Sequence, residues 1–195
     1  NISKTKFKKS ILVAGGGPAG VKAACIAADR GHRVTLCEKS NSLGGQINLA
    51  QSLPGRAEFG GIITNLNKEL TKTAVSVRFN SFVNLDLIEE LAPDVVIAAT
   101  GATPYMPGIQ GAEEAHVVNA WQVLEGKANV GGSVVIADWR CDWVGLGLAE
   151  LLVKQGCHIR LAVNGMVAGQ NIPQYARDAW IGKLHKLGVE IIPHV

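Results

Sequence analysis

The run Ile11-Leu12-Val13-Ala14-Gly15-Gly16-Gly17-Pro18-Ala19-Gly20 constrains this chain more than any other feature. Four apolar residues in a row read as a strand buried on both faces, as in a parallel sheet. Glycines 15–17 then turn the chain. From Pro18 to Arg30 the composition is helical and rich in alanine, and Gly31 stops it. Arg33 to Cys37 reads as a second strand. Strand, glycine turn, helix and strand within about 30 residues make one βαβ unit. Gly15, Gly17 and Gly20 fit G-x-G-x-x-G, and Glu38 follows the second strand, 18 residues after Gly20. Between a strand and a helix, this spacing is a dinucleotide-binding fingerprint. Gly15 permits the tight turn, Gly17 lets a diphosphate approach the backbone, and Gly20 lets the helix pack on the sheet. The helix start offers free N–H groups and partial positive charge to phosphate. Glu38 is expected to accept two hydrogen bonds from a ribose diol, and its charge would repel a 2′-phosphate.

Further along, residues 40–60 read as loop-rich and Ile62–Lys72 as helix. A third strand is expected at Val75–Phe79, a helix at Leu85–Leu91, and a fourth strand at Asp94–Ala99, nearly all apolar and so placed centrally. Residues 102–129 are irregular, with a short helix near Trp121–Leu124. A second unit begins at Gly131-Gly132: strand Ser133–Ala137, helix Trp143–Gln155, strand His158–Val163, helix Gln174–Leu187 and strand Val189–Ile192. Alternating strands and helices predict an α/β fold with a doubly wound, Rossmann-like parallel sheet and a second, incomplete Rossmann-like unit. The expected divisions are a basic linker at 1–9, a nucleotide-binding domain at 10–129, and the second unit at 130–195. Three strands leave an open edge, which suggests a fragment or a subunit of something larger.

The net charge of +3 does not imply a nucleic-acid partner. Lys4, Lys6, Lys8 and Lys9 stand together, and without them fifteen basic residues face sixteen acidic ones. No basic stripe with interleaved aromatics is present. The four cysteines, Cys25, Cys37, Cys141 and Cys157, form no CxxC or zinc-like spacing. Cys25 and Cys37 read as small core hydrophobes, a usage that suits a reducing cytoplasm. A helix is expected between Cys141 and Cys157, which argues against a dithiol. No histidine has a partner at metal or triad spacing, so no metal site and no catalytic acid–base pair is expected. His32 reads as a turn residue. No apolar run is long enough to span a membrane.

The Gly-Pro-Ala-Gly ending of the first loop resembles that of FAD-containing pyridine-nucleotide oxidoreductases. Glu38-Lys39, Leu43-Gly44-Gly45-Gln46 and Ala99-Thr100-Gly101 follow in matching order. The stretches Gly45-Gln46-Ile47-Asn48-Leu49-Ala50 and Leu53-Pro54-Gly55-Arg56 narrow the resemblance. From Lys8 onward the chain is similar to the C-terminal half of old-yellow-enzyme-like iron–sulfur flavoproteins. That group includes 2,4-dienoyl-CoA reductase, trimethylamine dehydrogenase and related N-demethylases. The resemblance implies FAD, or ADP in its place. It also implies a preceding (β/α)₈ barrel, or a separate subunit, with FMN and a four-iron cluster. Residue by residue, it implies that Gly15, Gly17, Pro18, Ala19 and Gly20 contact the diphosphate, and that Glu38 and Lys39 contact the ribose. Gly45 and Gln46 would approach the diphosphate or flavin side, Val83 the adenine, and Thr100 and Gly101 would close over the cofactor. For Arg56 a solvated loop charge is an equal reading.

The second unit departs from the pattern. Where NAD(P)-binding relatives carry another glycine fingerprint, this chain has Ala137-Asp138-Trp139-Arg140-Cys141-Asp142-Trp143-Val144-Gly145-Leu146-Gly147. Side chains fill the turn, and Asp138 and Asp142 would repel a diphosphate, so NAD(P)H binding is not expected there. The strand His158–Val163 ends in Asn164, not in a carboxylate or an arginine. The stretch resembles the trimethylamine-dehydrogenase and N-methyl-amino-acid demethylase side of the family, with electrons leaving to a protein acceptor; a rebuilt structural loop is the competing reading. Three functions stay open: the nucleotide-binding portion of an amine or N-methyl-amino-acid dehydrogenase, demethylase or enoate reductase; a non-catalytic ADP-binding docking module; and a self-sufficient NAD(P)H-dependent FAD oxidoreductase.

Overall fold

The structure is a computed structural model, and it describes residues 3–195. The described residues form two compact units, one of residues 3–51 and 56–103, the other of residues 52–55 and 104–195. Residues 104–129 therefore group with the second unit, not with the first as the sequence reading placed them. The reason is apolar: Ala120, Val123 and Leu124 pack against the second core. Of the expected linker at 1–9, residues 1 and 2 lie outside the described residues. The rest is tethered: the Thr5 amide donates to the Arg30 carbonyl at 2.8 Å, and the Lys9 amide to His32 Nδ1 at 3.1 Å.

The first unit holds strand β1 (Ser10–Ala14), helix α1 (Pro18–Asp29), β2 (Arg33–Cys37), α2 (Gln46–Ala50), a 3₁₀ turn (Ala57–Phe59), α3 (Gly60–Leu70), β3 (Ser76–Arg78), α4 (Leu85–Leu91) and β4 (Val95–Ala98). The strands are parallel, in the order β3-β2-β1-β4. Val13, Val21, Ala24, Val34 and Leu36 form the buried seam between the sheet and α1. Small residues on α1 let it lie close to the sheet. Its end is a Schellman cap: Gly31 N donates to Ala28 O and His32 N to Ala27 O.

One expectation fails in this unit. β4 was expected to be central but lies at the edge of the sheet, bonded to β1 alone. Apolar composition alone does not set strand order, which depends on pairing; no β4 residue is fully buried, and Val96 is 41% exposed. The loop-rich stretch at 40–60 also holds α2 and the 3₁₀ turn. α2 is a five-residue helix with no buried residue, so it carries no periodic signal.

The second unit holds α5 (Ala120–Leu124), β5 (Ser133–Asp138), α6 (Trp143–Lys154), β6 (His158–Val163), α7 (Gln174–Lys186) and β7 (Glu190–Ile192). Its sheet is parallel, in the order β5-β6-β7. A capping box between Asn119 and Gln122 starts α5. Schellman caps at Gly156 and Gly188 end α6 and α7 where the sequence places the stops. Leu146, Leu152, Leu161, Val163 and Leu184 fill the core. Glu150 is buried among them and is held by Lys154 Nζ at 2.6 Å, Lys183 Nζ at 2.5 Å and Trp180 Nε1 at 3.1 Å. Burial pushes its carboxyl up, but these donors outweigh that and hold it below the usual carboxylate range.

Candidate functional site

In the first sheet, β1 is flanked by β2 on one side and β4 on the other, and the chain leaves β1 in opposite directions to reach them. The carboxyl ends of β1 and β4 therefore border a switch point, where open α/β sheets place their ligands. Gly15–Gly20 follow β1, Glu38 follows β2, and Ala99–Gly101 follow β4.

Packing explains two of the fingerprint glycines. Gly15 has φ +110°, and a Cβ there would strike the Ala99 carbonyl. A Cβ on Gly20 would strike the Gly15 carbonyl. Gly17 is different. Its backbone is extended, with φ −72° and ψ 178°, and a Cβ on it would meet no protein atom within 4 Å. The fold does not demand glycine there; a ligand approaching the backbone would. Gly17 is also the N-cap of α1, with no side-chain cap and Pro18 beginning the helix. The first-turn amides thus keep their donors for something else. Ala19 is exposed in that turn.

Glu38 is 7% exposed. Its Oε2 accepts the Gly16 amide at 2.6 Å. Its Oε1 accepts the Ser40 amide at 2.8 Å and the Ser40 hydroxyl at 2.8 Å. Burial pushes the carboxyl up, yet the Ser40 and Gly16 donors, helped by the Lys39 charge, hold it below its ordinary value. It is a carboxylate at neutral pH. Lys39 itself is exposed. The Gly16 carbonyl accepts the Gly44 amide at 2.9 Å, which draws the loop between β2 and α2 toward the glycine loop. Gly45, at φ +52°, stands where a Cβ would come within 3.3 Å of Gly17 Cα. Gly45 is the N-cap of α2, and Gln46 opens that helix. Gln46 Nε2 would lie 3.3 Å from a Cβ on Gly101, which joins the β4 loop to the cluster. Thr100 and Gly101 are exposed. The segment beyond β3 is tied in through Ser81 N to Glu38 O at 2.9 Å and Asn80 N to Ser40 O at 3.0 Å. Val83 follows, half-buried.

The residues expected from the sequence thus fall on one end of one sheet. Arg56 stands apart in role, its guanidinium 5.6 Å from the Phe59 ring centroid. Sequence reasoning missed Ser40, and left the Gly16 amide and carbonyl without a task. A serine two residues after a strand-ending glutamate belongs to no motif, and only coordinates reveal its bonds.

The corresponding turn in the second unit is closed by its own side chains. Asp138 Oδ1 accepts the Cys141 amide at 2.9 Å. Cys141 is fully buried with φ +48°, and its Sγ lies 3.2 Å from Asn164 Oδ1. Asp142 caps α6 by accepting the Val144 amide at 2.9 Å, and also pairs with Arg140 at 2.7 Å. The helix start is therefore already answered by a carboxylate. Asp138 Oδ2 is buried and none of the described residues donates to it; it lies where a Cβ on Gly145 would sit. Burial pushes the Asp138 carboxyl up to about 6, against the Cys141 amide and with the help of Asp142. Trp139, Arg140, Asp142, Trp143, Asn171 and Ile172 line an open surface pocket of about 450 Å³ above this turn.

Among the described residues no group of three or more His, Cys, Asp or Glu side chains converges as a metal site. All four cysteines are free and buried, and among the described residues no helix is long and apolar enough to cross a membrane.

Known proteins resemble this chain over most of its length. N,N-dimethylglycine/sarcosine dehydrogenase of Chromohalobacter salexigens is 33% identical over 184 residues, which cover 89% of this chain and 26% of that protein. NADH oxidase of Thermoanaerobacter brockii is 38% identical over 162 residues, covering 82% of this chain and 25% of the relative. The structure of 2-naphthoyl-CoA reductase in complex with 2-naphthoyl-CoA superposes with a TM-score of 0.92 at 30% identity, over all of this chain and 29% of that one. The chain thus spans about a quarter of the length of the curated relatives it matches. The family described as pyridine nucleotide-disulphide oxidoreductase matches residues 9–195, and the chain belongs to that family.

Proposed function

We propose that this chain is the nucleotide-binding portion of a flavin-dependent oxidoreductase, of the kind that dehydrogenates or demethylates amines and N-methyl amino acids. It holds the ADP half of FAD, or ADP itself. The observation that carries this reading is Gly17: a glycine that packing does not require, at the uncapped start of α1, beside the ionised Glu38. The α1 amides and Gly17 receive the diphosphate, with Pro18, Ala19 and Gly20 forming that first turn. Glu38 and Lys39 face the ribose, Val83 the adenine, and Gly45, Gln46, Thr100 and Gly101 the side toward the flavin. When bound, FAD supplies the electron relay; these residues fix its position. The dehydrogenase resemblance favours the amine substrate class, while the likeness to 2-naphthoyl-CoA reductase keeps enoate-type reduction as the neighbouring alternative. In this reading, substrate chemistry belongs to a (β/α)₈ barrel part or subunit carrying FMN and a four-iron cluster, in the cytoplasm. Electrons pass onward to a protein acceptor, for which the pocket at Trp139 and Trp143 offers a surface.

The NADH oxidase relative favours a second reading, in which NAD(P)H reduces the flavin directly. The turn at 138–142 opposes it, because carboxylates occupy the place of a diphosphate. One preparation tests both. Nucleotide released from the purified chain on denaturation should be FAD or ADP, and calorimetry should show that the stripped chain rebinds it. A chain that binds neither would refute the proposal. Anaerobic mixing of the FAD-loaded chain with NADH or NADPH should leave the flavin oxidised; rapid bleaching would establish the second reading.

A further inference from the structure

The Glu38 carboxylate has four acceptor positions, two on each oxygen. On Oε1 both are taken, by the Ser40 amide and the Ser40 hydroxyl, each at 2.8 Å. On Oε2 one is taken, by the Gly16 amide at 2.6 Å. The Ser40 hydroxyl also lies 2.8 Å from the Ser42 carbonyl, but it has a single proton to give. A hydrogen bond to an ionised acceptor is the stronger one, so the proton belongs to Glu38. One acceptor position remains, on Oε2. A ribose diol presents two neighbouring hydroxyls, and a carboxylate with both oxygens available takes both. This one can take a single hydroxyl.

We infer that Ser40 is a specificity-positioning residue: by saturating Glu38 Oε1 it restricts nucleotide recognition at this carboxylate to one ribose hydroxyl. The inference rests on the nucleotide-binding reading above and replaces its expectation of a two-hydroxyl contact. Ser40 is exposed at the start of a loop; its carbonyl accepts the Asn80 amide at 3.0 Å, a backbone bond that Ser40→Ala keeps, so the effect of its hydroxyl acts through Glu38.

The test is calorimetric titration of the full chain with ADP, 2′-deoxy-ADP and 3′-deoxy-ADP. One deoxy analogue should bind about tenfold more weakly than ADP, the loss expected for a hydrogen bond to a charged acceptor. The other should stay within about twofold of ADP, its hydroxyl having no acceptor on Glu38. In Ser40→Ala the backbone donor persists while Oε1 gains a vacant position, so the two losses should converge. A merely structural serine would shift all three affinities alike. Equal losses in the unaltered chain would overturn the inference while leaving the nucleotide reading intact, as would an asymmetry that survives in Ser40→Ala. Failure of ADP and FAD to bind at all would overturn that reading and this inference with it. The comparison of analogues on the unaltered chain stands even if the variant folds poorly.

Discussion

Glu38 Oε2 and the Gly16 amide, 22 residues apart in the chain, meet at 2.6 Å. A carboxylate that the fingerprint assigns to a ligand is thereby also a structural part of the glycine loop. Removing it affects both. Glu38→Ala should weaken nucleotide binding by about 1–3 kcal/mol, from the lost charged hydrogen bonds and the unanswered Gly16 donor. Unchanged affinity in calorimetry would sink the assignment. Because the folded chain holds this carboxyl below its ordinary value, its stabilising contribution is complete above the usual carboxylate range. It should be lost as the pH falls through that range.

The three fingerprint glycines should separate by cause. Gly17→Val should cost at most about 1 kcal/mol of unfolding free energy, the N-cap preference of glycine over valine, because its backbone is extended and the added side chain begins in open space. It should cut nucleotide affinity by roughly tenfold or more, about 1.4 kcal/mol. Gly20→Ala should do the reverse. Its Cβ strikes the Gly15 carbonyl, and overpacking of that kind costs about 1–3 kcal/mol. Denaturant melts followed by circular dichroism, set beside calorimetric titrations, resolve the two. A Gly17→Val chain that is as unstable as Gly20→Ala would show that packing, not a ligand, accounts for the glycine.

All four tryptophans, Trp121, Trp139, Trp143 and Trp180, lie in the second unit, so intrinsic fluorescence reports its unfolding alone. Asp138 supplies a pH signature there. Its carboxyl is raised from 3.8 to about 6 by burial, so the folded state binds the proton more tightly than the unfolded state. The unit should lose about 2–3 kcal/mol as the pH rises from about 4 to about 6. Glu150, shifted downward, acts in the opposite direction at lower pH. In Asp138→Asn the decline between about 4 and about 6 should disappear from fluorescence-monitored urea melts. A decline of the same size in the variant would place its origin elsewhere.

Glu150 should matter for the stability of the second unit and not for nucleotide binding. It is 1% exposed and joins Lys154, Lys183 and Trp180. Glu150→Ala should cost about 3 kcal/mol, since both a cavity and unanswered donors remain. Glu150→Gln keeps the volume and should cost about 1–2 kcal/mol. Tryptophan fluorescence during denaturation checks both. If Glu150→Ala melts with the unaltered chain, the cluster contributes nothing to stability.

The sequence by itself determined the βαβ unit, the glycine stops at Gly31, Gly156 and Gly188, and the α/β class, because each follows from local chemistry: apolar runs, helix formers and residues that tolerate positive φ. It also marked the turn at 137–147 as a departure from the glycine fingerprint, since tryptophan, arginine and aspartate stand where glycines would be expected. Tertiary structure alone decided the rest. β4 lies at an edge because strand order is settled by pairing between distant segments, and an apolar strand looks the same in either place. Residues 104–129 join the second unit because Val123 and Leu124 find its core, a contact that no local pattern encodes. The glycine loop closes on Glu38 through backbone donors, and backbone donors are identical at every residue but proline. For that reason Ser40 carried no signal in the sequence, although its amide and hydroxyl take two of the acceptor positions of Glu38.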